Sequence, residues 1–78
     1  MRIKVEGLPV DVDDRALRII FSEYGSVEGI EIARNHPHGK GLPIAFVSMP
    51  NTVEAELAIN FLRGVGFHGR HLEVWESR

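Results

Sequence analysis

The sequence predicts an α+β fold of the split βαβ, ferredoxin-like kind: a β-α-β-β-α-β chain whose four-stranded antiparallel sheet has strand order 4-1-3-2, with two helices on one face. Three observations predict it. Segments with apolar residues at period two alternate, in that order, with segments at helical spacing. Both helical segments are apolar along one side only, so each needs an apolar sheet face to cover. Glycine or proline lies at most of the junctions.

Taken in order, residues 2–6 (RIKVE) alternate, with Ile3 and Val5 on one face and Lys4 and Glu6 on the other, which predicts a half-buried strand. Gly7-Leu8-Pro9 closes it. Asp13 suits a helix N-cap, and Asp11, Asp13 and Asp14 lie where the positive end of a helix dipole favours carboxylates. Leu17, Ile20, Phe21 and Tyr24 follow on one helical face, and Gly25 is expected to end that helix as a left-handed cap. The second strand is expected over Val27 to Ala33, with Val27, Ile30 and Ile32 inward and Glu31 outward. RNHPHGKGLP has no periodicity and reads as a long loop. Residues 44–49 (IAFVSM) form the third strand, Ala45 and Val47 on one side, Ile44, Phe46 and Ser48 on the other. Pro50 stops it. Asn51 or Thr52 caps a second helix through Ala55, Ala58, Ile59 and Leu62, which Gly64 and Gly66 end. GFHGR suits a hairpin turn, and HLEVWE is the last strand, with Leu72 and Val74 inward and His71, Glu73 and Trp75 outward. The face opposite the helices then carries Lys4, Glu6, Glu31, Ile44, Phe46, Ser48, Glu73 and Trp75.

Composition narrows the class of function. The 78 residues read as one domain, and a chain of that size buries only about 60 to 65 % of its unfolded surface, so every strongly apolar residue is needed for the core. With 44 % hydrophobic and 26 % charged residues the chain is expected to be globular, neither disordered nor membrane-spanning. It has no cysteine, so disulfides and thiolate metal sites are excluded. No signal peptide is visible, which points to an intracellular, cytoplasmic or nuclear location. The net charge of −2 lacks the basic surplus that supplies most non-specific affinity for nucleic acid. His36 and His38 in the loop, and His68 and His71 near the last strand, read as solvated side chains, and no metal or cofactor is expected. No nucleophile sits beside a base and no glycine-rich phosphate loop opens a helix, so an enzyme is not expected.

The chain resembles the RNA-recognition motif family over essentially its whole length. The matching residues are Gly7-Leu8-Pro9, the run Leu17, Phe21, Tyr24 and Gly25, then Ala55, Ala58 and Ile59, and finally GRHLEV at 69–74. The resemblance implies single-stranded RNA as the partner, bound on the open sheet face with bases stacked on aromatics from two short signatures. The six-residue signature falls on Ile3 to Leu8, with Lys4 where an aromatic is usual and Gly7 where asparagine is usual. The eight-residue signature falls on Leu42 to Met49. There Leu42 replaces the basic residue, Pro43 the glycine and Ile44 the first aromatic, Phe46 keeps the second, and Met49 stands where a core aromatic is common. Lys40-Gly41 belongs to the loop.

The RNA-binding residues so implied are Phe46 as principal platform, Trp75 as a second, Ile44 for apolar contact, and Lys4, Arg34 and Lys40 toward the backbone. Each stacking platform contributes about 1 to 3 kcal/mol, so a face with fewer aromatics implies weak to moderate affinity. Plainer readings stand beside these. Phe46 can pack under Ile44 or the C-terminal residues, Trp75 can pack on the sheet edge, and Lys4 can pair with a glutamate across strands. The alternative function is a protein–protein interaction module using the same face, and self-association through its apolar strip would make a weak dimer of the monomer.

Overall fold

The computed structural model describes residues 1–34 and 42–77. In chain order the elements are β1 (Arg2–Glu6), α1 (Asp14–Ser22), β2 (Gly29–Ala33), β3 (Ile44–Ser48), α2 (Thr52–Leu62), β4 (Gly66–Phe67), β5 (Arg70–His71) and β6 (Glu73–Ser77). Four strands form one antiparallel sheet in the order β2-β3-β1-β6, and β4 and β5 pair separately as a small hairpin. With β6 counted as the fourth long strand, this is the expected 4-1-3-2 arrangement.

Period-two patterning decides which face is inside. Ile3, Val5, Ala45, Val47 and Val74 point to one side of the sheet and are fully buried against Leu17 and Phe21 of α1 and Ala55, Ala58, Ile59 and Leu62 of α2. Both helices therefore cover the same face. Complete removal of a Leu or Phe side chain from water contributes roughly 1.5 to 3 kcal/mol, so Leu17 and Phe21 anchor α1 by themselves. The helices start where the sequence places their caps: the Asp13 carboxylate accepts the Ala16 N–H at 2.8 Å, and the Asn51 side-chain oxygen accepts the Glu54 N–H at 2.9 Å.

Three local expectations are corrected. The second strand begins at Gly29 rather than Val27, because the register that pairs Gly29 with Ser48 would set Val27 against Pro50, which has no N–H to donate; the Val27 carbonyl accepts instead from the Arg18 guanidinium at 3.2 Å. Gly25 is no left-handed cap: its φ of 159° is extended, and the helix closes at Glu23 in the right-handed region. Glycine is needed there because the Glu54 side chain folds over it to accept the Ser26 N–H at 3.1 Å, and a Cβ would collide with that side chain. The last strand is also split. His71 belongs to the β4–β5 hairpin, while Leu72 exchanges backbone bonds with the turn after α2, donating to Val65 at 2.9 Å and accepting from Gly64 at 2.8 Å. Leu72 is still buried, so its side chain keeps the inward direction that the alternation requires.

Candidate nucleic-acid interface

The uncovered side of the sheet is built from the residues that alternate with the core. Strand register lines them up in rows: Glu31 lies opposite Phe46, Phe46 opposite Lys4, and Lys4 opposite Trp75. One row thus crosses all four strands. Because neighbouring strands are about 4.8 Å apart, the backbones bearing Phe46 and Trp75 are separated by roughly 10 Å, with Lys4 between them. A second row runs Gly29, Ser48, Arg2 and Ser77. At the far end Ile44 lies opposite Ala33, and Glu6 opposite Glu73.

The structure brings together four of the six residues assigned to RNA: Lys4, Ile44, Phe46 and Trp75. Trp75 is 40 % exposed, and Phe46 and Ile44 are half-buried. The described C-terminal residues run along the sheet edge as β6 and pair with β1. Arg34 lies elsewhere. Its guanidinium donates to the Val10 carbonyl at 3.1 Å and to the Val12 carbonyl, fastening the end of β2 to the loop after β1. Lys40, with His36 and His38, lies outside the described residues.

Arg2 belongs to this face and is absent from the set read from the sequence. Its guanidinium carbon stands 4.3 Å from the centroid of the Phe46 ring, over the ring face, and a guanidinium nitrogen lies 3.7 Å from the Glu31 carboxylate. The signal was present: the alternation that turns Lys4 outward turns Arg2 outward too. Lys4 itself sits 3.7 Å from the Glu6 carboxylate, each side chain 36 % exposed. An exposed pair of this kind contributes about 0 to 1 kcal/mol, so Glu6 holds Lys4 only loosely. Among the described residues no group of histidine, aspartate and glutamate is arranged to hold a metal ion.

Gly7 shapes one end of the site. Its φ is +78°, and a Cβ there would run into the His71 carbonyl, so glycine permits the β1 end and the β5 end to touch. This explains in packing terms why the position usual for asparagine carries glycine here.

Comparison with known proteins identifies the family. A family model described as the RNA recognition motif matches residues 3–73. A candidate RNA-binding protein of Nostoc sp. (strain PCC 7120 / SAG 25.82 / UTEX 2576), RbpB, is 35 % identical over 78 residues, covering all of this chain and 76 % of that protein. The chloroplastic RNA-binding protein CP31B of Arabidopsis thaliana is 37 % identical over 73 residues, covering 94 % of this chain but 25 % of that protein. Among solved structures, a Sxl-lethal protein–RNA complex superimposes with a TM-score of 0.86 at 28 % identity, over 99 % of this chain and 46 % of the other. A family match across nearly the whole chain and relatives of this similarity lead to one conclusion: the chain belongs to the RNA recognition motif family.

Proposed function

We propose that this protein binds single-stranded RNA on the open face of its sheet, with bases stacked on Phe46 and Trp75 and Lys4 serving the phosphate between them. The observation that carries this reading is the row from Phe46 through Lys4 to Trp75, two rings flanking a cation on the uncovered face. Ile44 adds apolar contact beside Phe46. Arg34, which carries more N–H donors than its two carbonyl bonds use, and Lys40, on the sequence reading, serve the RNA backbone. The family membership and the RNA-complexed neighbour support the same reading. The role is binding rather than catalysis, in an intracellular compartment.

Affinity is set by opposing contributions. Two platforms together supply roughly 2 to 6 kcal/mol of stacking, while Glu6, Glu31 and Glu73 on the same face repel phosphate. Weak to moderate binding follows. An NMR titration of the labelled chain with short RNA oligomers tests it: saturable shifts are expected at Phe46, Lys4 and Trp75, and Phe46→Ala should weaken binding by about 1 to 3 kcal/mol. A sheet face that stays inert at millimolar RNA would overturn the proposal and favour a peptide partner.

A further inference from the structure

We propose that the base stacked on Phe46 is a guanine, read by the Glu31 carboxylate and the Arg2 guanidinium; this rests on the RNA reading above. The argument starts from what surrounds the ring. Glu31 lies directly across from Phe46 in the β2–β3 register, and its side chain is 80 % exposed. Residues so paired have Cβ atoms about 5 Å apart, which puts an acceptor-only group at the rim of the platform. Arg2 is the diagonal neighbour, its guanidinium 3.7 Å from that carboxylate and 4.3 Å from the ring centroid. Together they present two acceptor oxygens next to a fork of paired N–H donors.

Only one base carries the complement of that sequence along its edge. Guanine offers two adjacent donors, N2–H and N1–H, followed by two adjacent acceptors, O6 and N7. Adenine alternates acceptor, donor, acceptor. Uracil sets a single donor between two carbonyl oxygens, which a carboxylate repels. Cytosine offers its N4 amino group and then two acceptors, and so lacks one of the two donors. A guanine entering the site takes the ring face that Arg2 occupies in the free protein, and Arg2 turns its N–H pair to O6 and N7. Glu31, released from Arg2, accepts from N1–H and N2–H.

The test is fluorescence anisotropy of the chain with labelled hexauridine and with versions in which one central uridine is replaced by guanosine, adenosine, cytidine or inosine. Guanosine should bind roughly tenfold tighter than adenosine, and inosine, which lacks the N2 amino group, should lose most of that gain. Glu31→Ala should bring guanosine and adenosine within about twofold of one another while binding of hexauridine does not weaken, since a phosphate-repelling charge has gone. Equal binding of guanosine and adenosine, or a guanosine preference that survives Glu31→Ala, would overturn the inference. Phe46→Ala separates the two levels. If it weakens every oligomer and guanosine is still not preferred, the RNA reading stands and the guanine reading falls. If it leaves every oligomer unchanged, both fall.

Discussion

Phe46 has two competitors for the same ring face, and their magnitudes decide the outcome. An exposed cation–π contact such as that from Arg2 contributes about 0.5 to 1 kcal/mol, whereas a stacked base contributes about 1 to 3 kcal/mol. On the proposed reading the base wins, and Arg2 is a displaceable cover over the ring in the free protein. Gly7 is the other residue whose role is set by one contact. Gly7→Ala should destabilise the fold by about 1 to 3 kcal/mol from the left-handed backbone alone, with the collision against the His71 carbonyl adding to it. Urea denaturation measures this, and a wild-type midpoint would show that the β1 and β5 ends part without cost. Neither contact is visible in the sequence, because Arg2 and Phe46, like Gly7 and His71, are far apart in the chain.

Among the elements, the helices are the most legible. Asp13 and Asn51 each precede a helical apolar pattern, and each side chain caps the helix there. Asn51→Ala should cost about 1 kcal/mol of stability, read as a shift in the urea midpoint, with RNA affinity of the folded chain unchanged because α2 lies on the covered face. A loss of affinity without a loss of stability would place α2 in the binding surface. Strand ends are less legible. Val27 lies outside β2 because it would face Pro50, and Leu72 leaves the last strand for the turn after α2. Both departures are set by where neighbouring segments end and turn, and alternation constrains only which side a residue faces. Phe61 of α2 and Tyr24 after α1 stack with centroids 6.0 Å apart and rings 7° from parallel, joining the helices on their outer side. Helical spacing alone does not reveal that pairing.

For the molecule as a whole, charge limits how RNA is held. With a net charge of −2 and few cations on the open face, the proposed complex would make about two or three phosphate contacts, each contributing roughly −0.7 to the slope of log K against log salt. A slope near −2 is expected over a salt series, and Lys4→Gln should make it shallower by about 0.7. A slope unchanged by Lys4→Gln would mean that Lys4 stays with Glu6 in the complex. Binding of this kind depends on stacking and base-edge contacts more than on charge, which fits a face where carboxylates outnumber lysines.

The sequence by itself determined the element order, both helix N-caps, the inward set and an open face bearing Phe46, Lys4, Ile44 and Trp75. These follow from local rules, since side-chain alternation and helical repeat are fixed by backbone geometry within a few residues. Tertiary structure alone decided that Arg2 covers Phe46, that Glu31 stands beside it, and that Arg34 is fastened to the loop after β1. Those neighbours depend on the register between strands distant in the chain, and register is settled only when both helices bury the opposite face.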